Sequence, residues 1–125
     1  MKEIIQTSNA PAAIGPYSQA IAIENLIFVS GQIPFTPEGD RIEGGIKKET
    51  LRVLENLKAV LEEADVSLAQ VIKTTVYLKD MADFADFNEI YGQYFSNNPP
   101  ARACVEVSAL PKGVNVEIEA VAVRN

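Results

Sequence analysis

The 125-residue chain has no histidine, a single cysteine and a formal charge of −6. Without histidine there is no Ser-His-Asp or Cys-His arrangement and no imidazole metal site. The lone Cys104 excludes an internal disulfide and a thiolate-rich zinc site, and it fits a reducing, cytoplasmic setting. The acidic balance disfavours non-specific nucleic-acid binding, which needs a basic footprint. No apolar run approaches membrane-spanning length, and the opening MKEIIQTSNAP has nothing like a signal-peptide core. Catalysis near neutral pH is left with carboxylate, Lys, Arg, Tyr, Cys, backbone groups or ordered water.

What is present is a soluble composition, 47% hydrophobic and 22% charged. The length suits one domain over residues 1–125, able to bury a core without disulfide or metal. Residues 2–7 read as a short strand, and residues 9–17 as a loop punctuated by Pro11, Gly15 and Pro16. Taken alone, Tyr17 is an ordinary half-buried aromatic. Residues 18–23 and 26–30 form a hairpin around Glu24 and Asn25. Ser30 and Gly31 close its second strand. A glycine there lets a ligand approach the backbone, or simply serves the turn.

Over residues 46–64 Thr50, Leu54, Leu57, Leu61 and Ala64 recur with helical spacing, widened by Val53 and Val60, and Lys and Glu fill the outer face. Residues 70–79 (QVIKTTVYLK) form a β-branched strand whose core face is Ile72, Thr74, Val76 and Leu78. A second helix spans residues 80–95, with Asp80 as N-cap and a stripe of Met81, Phe84, Phe87, Tyr91, Tyr94 and Phe95. Asn88 lies beside that stripe, either as a structural hydrogen-bonder or as a group aimed at a ligand.

Residues 99–123 (PPARACVEVSALPKGVNVEIEAVAV) hold two alternating runs around a Pro/Gly loop. In the first, Ala101, Ala103, Val105 and Val107 oppose Arg102, Cys104 and Glu106. In the second, Val116, Ile118, Ala120 and Ala122 oppose Asn115, Glu117, Glu119, Val121 and Val123. These mixed second faces are either solvated or a covered surface such as a subunit interface. The order β-β-β-α-β-α-β-β implies an α+β domain, a mixed six-stranded sheet with two helices on one face. Oligomerisation is expected to cover the other face.

The stretches NAPAAIGPYSQA (residues 9–20), FVSGQIP (28–34), VIKTTVYLKDM (71–81) and PARACVEVSALPKGVNVEIEA (100–120) span essentially the whole chain. Together they resemble the RidA subfamily of the Rid/YjgF-like reactive intermediate deaminases, with PARACVEV and VEIEA the most specific parts. The resemblance implies a chorismate-mutase-like homotrimer with sites in clefts between subunits, and a last strand inserted centrally in the sheet. It further implies hydrolysis of short enamine/imine acids, such as 2-aminoacrylate and 2-aminocrotonate from pyridoxal-phosphate-dependent serine/threonine dehydratases, to 2-keto acids and ammonia. By the same resemblance Arg102 grips the substrate carboxylate and Glu117 handles the attacking water. Ser30 and Gly31 line the pocket, Tyr17 packs on the substrate, and Asn88 and Cys104 complete it.

The residues suit that chemistry. Arginine offers a planar fork for a carboxylate, which fixes the adjacent electrophilic carbon relative to a water. A glutamate can hold that water and relay protons to departing ammonia. No cofactor is required, because a protonated imine is electrophilic enough. Cys104 as a nucleophile would need a lowered pKa, which no histidine can supply. A small apolar wall is its expected role. Glu119 is a structural partner or a surface charge, Glu106 an interface residue, and Lys73 electrostatic scaffolding. The competing functions are a non-catalytic binder or regulator taking 2-keto acids, an RNA-cleaving translation inhibitor, which the charge and missing histidine disfavour, and a chaperone-like role.

Overall fold

Alternation of period two and two helical stripes produce the six strands and two helices of the computed structural model, which describes residues 1–125. The strands are β1 (Lys2–Ile5), β2 (Ala20–Ile23), β3 (Leu26–Gln32), β4 (Val71–Leu78), β5 (Ala101–Glu106) and β6 (Val116–Val123). Helix α1 is Ile46–Glu63 and α2 is Phe84–Tyr94. The sheet order is β1-β2-β3-β6-β4-β5. Only β4 and β5 run parallel; every other pairing is antiparallel. The last strand is central, as the resemblance implied, and β5 and β6 do not form a hairpin.

Both helices cover one face. The expected stripe of α1 is the core: Val53, Leu54, Leu57, Val60 and Leu61 are wholly buried against Ile27, Val116 and Ile118 of the sheet. Each such side chain stabilises the fold by roughly 1.5–3 kcal/mol. The helix stops where Asp65 takes a φ of 61° and the Val66 N–H returns to the Leu61 carbonyl at 3.0 Å. Ahead of α2, Asp80 caps as expected, its Oδ1 accepting the Ala82 N–H at 2.9 Å. The expected single helix begins instead with a 3-10 turn at Met81–Asp83. Of the α2 stripe, Phe87, Tyr91 and Phe95 are buried in a tilted stack with centroids 5.4 and 4.7 Å apart.

Two bulges depart from strict alternation. In β4, Val71 pairs with Ala122 and Lys73 with Val121, so Ile72 is the extra residue. It is exposed, and Val71 takes the core place expected for it. In β3 the register slips between Val29 and Gln32, around Ser30 and Gly31.

Helix α1 departs in a second way. Glu49 is buried, although Lys and Glu were expected on the outer face, and Asn56 is buried as well. The sheet face away from the helices exposes Ile4, Phe28 and Val105 by 44–62%. No helix is long and apolar enough to cross a membrane.

Candidate functional site

Strand β5 lies at the sheet edge, with Arg102 beside Thr74 and Cys104 beside Val76 of β4. Thr74 and Val76 are buried under the helices, so this parity turns Arg102 and Cys104 to the helix side. There the guanidinium meets α2. Arg102 Nη1 donates to Asn88 Oδ1 at 2.7 Å. Its central carbon lies 4.8 Å from the Tyr91 ring centroid, 5.5 Å from that of Phe84 and 5.9 Å from that of Phe87. No carboxylate is within ion-pair distance of it, and its other N–H donors are unengaged. Asn88 thus holds the Arg102 guanidinium through its Oδ1. Cys104 is half-buried; burial pushes its thiol up, and the Arg102 charge offsets this only in part. That is the reverse of what an activated nucleophile needs.

Glu117 faces the opposite way. On β6 it pairs with Tyr77, whose side chain lies on the open face. A Cβ on Gly31 would fall within the Glu117 carboxylate, so the bulged backbone of β3 is the floor on which that carboxylate rests. Burial, and then neighbouring Glu119, raises the Glu117 carboxyl above its ordinary value. Glu119 itself accepts the Tyr77 hydroxyl at 3.0 Å, which makes it a structural partner. Ser30 Oγ donates to the Ser18 carbonyl at 2.6 Å, tying the bulge to the segment after Tyr17. Tyr17 is exposed, and with Gly31, Phe35 and Lys112 it lines a cavity of about 300 Å³. Neither Arg102, Asn88, Cys104, Ser30 nor Glu117 lines that cavity.

The candidates therefore fall into two groups. Arg102, Asn88 and Cys104 sit at the helix side of β5, and Gly31 and Glu117 on the open face, with Ser30 and Tyr17 beside them. One chain does not bring the two groups together. Lys73 pairs with no carboxylate. Glu106 accepts the Met81 N–H at 2.8 Å and so ties the end of β5 to the start of α2. No three His, Cys, Asp or Glu side chains cluster to hold a metal ion.

Residues not singled out in the sequence hold these groups in place. Asn56 Nδ2 donates to the Ile33 and Phe35 carbonyls at 3.1 and 2.9 Å, fixing one cavity wall. Glu49 accepts both the backbone N–H and the side-chain amide of Asn115, at 3.0 and 2.6 Å, two residues before Glu117. Gln19 pins the loop bearing Tyr17 through Thr7 and the Pro11 carbonyl. Arg41 holds the Lys112 and Gly113 carbonyls. The available signal was a polar interruption, Glu49 and Asn56, recurring at i+7 within an otherwise apolar helix stripe.

The family model described as Endoribonuclease L-PSP matches residues 7–124. A RutC family protein of Pyrococcus abyssi is 59% identical over 97% of this chain and 96% of its own length. Human 2-iminobutanoate/2-iminopropanoate deaminase is 47% identical over 99% of this chain and 91% of its own. The crystal structure of Escherichia coli TdcF with bound serine superposes with a TM-score of 0.95 at 44% identity, covering 98% of this chain and 99% of that one. The chain belongs to the Rid/YjgF family. As a Rid/YjgF protein it shares its overall fold with the TdcF structure over nearly its whole length.

Proposed function

We propose that this Rid/YjgF protein hydrolyses short 2-imino acids to 2-keto acids and ammonia, at sites completed between copies of the chain in a homotrimer. The observation that carries the reading is Arg102: a guanidinium propped on aromatic rings, fixed by Asn88, and without a carboxylate of its own. Such a group is a ready receptor for a substrate carboxylate, which its planar fork binds in a fixed orientation. The opposite placement of Arg102 and Glu117 supports assembly from two copies, as does the exposed apolar sheet face.

In this reading Arg102 fixes the imino acid so that its C=N carbon faces a water held by Glu117 of a neighbouring copy. The water oxygen bonds to the carbon of the protonated imine as Glu117 takes one water proton, giving a neutral tetrahedral amino alcohol. Glu117 returns that proton to nitrogen, the C–N bond breaks with its electron pair leaving on ammonia, and the hydroxyl proton passes to Glu117 as C=O forms. Glu117 then gives it up to the departing ammonia, so water supplies the keto oxygen and both its hydrogens leave with nitrogen as ammonium. A carboxyl with a raised pKa suits this two-way duty, because it lies nearer the working pH. Positioning supplies much of the acceleration for a substrate already this reactive. The half-buried Cys104 thiol acts as a wall. The name of the human relative, an iminobutanoate deaminase, supports the substrate class.

A coupled assay tests the reading. A serine or threonine dehydratase generates the enamine, and keto-acid release is followed against spontaneous hydrolysis. The protein accelerates release and its Arg102→Ala variant does not; no acceleration over a panel of amino acids contradicts the assignment.

Binding without turnover is the second reading, favoured by the serine in the related TdcF structure. Glu117→Gln separates the two, since a pure binder is indifferent to it. RNA cleavage, named in the family model's description, is disfavoured by the charge of −6 and the absence of histidine.

A further inference from the structure

We infer that Tyr91, locked by Thr74 and flanked by Phe84 and Phe87, is a positioning residue that aims the Arg102 guanidinium at the substrate carboxylate. The inference rests on the reading of Arg102 as the carboxylate anchor. Arg102 projects from an edge strand and is exposed, and a long side chain there is normally free to sample many rotamers. Here it is confined from two directions. The Asn88 oxygen holds one Nη1 hydrogen, and three rings of α2 lie under the guanidinium with centroids 4.8–5.9 Å from its central carbon, Tyr91 nearest.

The Tyr91 ring is in turn immobilised. It is buried, it stacks between Phe87 and Phe95, and its hydroxyl shares a 2.7 Å hydrogen bond with the wholly buried Thr74 Oγ1. Thr74 is the β4 residue directly beside Arg102 in the parallel ladder. The strand that carries the arginine's neighbour therefore also fixes the ring on which the arginine lies. Apolar ring faces hold a cation without spending its N–H donors, so the fork stays open to an anion. A carboxylate partner in the same place would have occupied it.

The test measures 2-oxobutanoate affinity, and KM and kcat in the coupled assay, for wild type, Tyr91→Phe and Tyr91→Leu. Phenylalanine keeps the ring and loses only the Thr74 bond; it changes Kd by less than about threefold. Leucine removes the ring face and raises Kd and KM about tenfold, with kcat falling far less. Phe84→Leu, at a half-buried position where truncation disturbs the core least, repeats the effect in smaller degree and stands in if Tyr91→Leu does not fold. The same leucine substitution in an Arg102→Lys background, where the planar fork is gone, costs little further affinity. Equal losses in both backgrounds, or unchanged affinity in Tyr91→Leu and Phe84→Leu, overturn the inference. Undiminished 2-oxobutanoate binding by Arg102→Ala overturns the anchor itself, a separate result.

Discussion

The carboxylate of Glu117 occupies the space that a side chain at Gly31 would need. Two residues on neighbouring strands are thus matched, an absent Cβ on β3 and a carboxylate on β6. The match exists because the bulge at Ser30 and Gly31 shifts the register beside Ile118.

Gly31→Ala follows from this. The methyl group displaces the end of a flexible side chain, so the fold survives with a cost of about 1–2 kcal/mol. Turnover falls roughly 10- to 100-fold, because the water-handling group is moved. Thermal unfolding and the coupled assay read the two effects; a folded variant with undiminished turnover contradicts the pairing.

Glu117→Gln is expected to trade activity for stability. The folded carboxyl is raised above its ordinary 4.5 by burial and by Glu119. Charging it therefore penalises the folded state, and the penalty grows as pH rises through the unfolded value and levels off above the folded one. The group is half-exposed and screened, so the gain from glutamine near neutrality is no more than about 1 kcal/mol. Melting curves across acidic to neutral pH should show the variant drawing ahead of wild type as pH rises. A constant difference, or one that shrinks, contradicts the raised carboxyl.

Cys104→Ser keeps most turnover, because burial holds the thiol protonated. Alkylation of Cys104 is correspondingly slow at neutral pH and accelerates in alkali. Complete inactivation of Cys104→Ser with keto-acid binding intact would support a thiol mechanism.

Asn56→Ala removes the donor to two loop carbonyls, Ile33 and Phe35, and opens a gap in a packed helix face. A loss of about 2–3 kcal/mol in urea unfolding is expected. A change under about 0.5 kcal/mol, the range of surface substitutions, would reassign the side chain.

Much of this was legible in the sequence. The α1 stripe of Leu54, Leu57 and Leu61 is the core because helical spacing alone decides which side of a helix is apolar. The apolar side of β6, from Val116 to Ala122, is the core as alternation implied, whereas on β5 parity grouped Arg102 with Cys104 but the apolar side that holds Val105 is the open one. What alternation could not supply was their relation. Parity separates Arg102 from Ala101 and Glu117 from Val116, yet only pairing through β4 reveals that Arg102 and Glu117 lie on opposite sides of the sheet. Ile72 was placed inside for a similar reason: a bulge depends on the partner strand and leaves no mark in a period-two pattern. Phe84, Phe87 and Tyr91 read as core, and they are. Their second use, as the bed of a guanidinium, appears only once β5 is laid against β4.

The central claim is that Arg102 and Glu117, divided by the sheet within one chain, act together across two copies. Subunit complementation tests it most directly. Arg102→Ala and Glu117→Gln chains, each inactive alone and carrying different tags, are unfolded, mixed in equal amounts and refolded, and assemblies bearing both tags are isolated. In a ring of three that contains both variants, one of the three sites receives Arg102 from one variant and Glu117 from the other, so about a third of wild-type turnover should return. Doubly tagged assemblies that stay at the background rate would contradict the shared site.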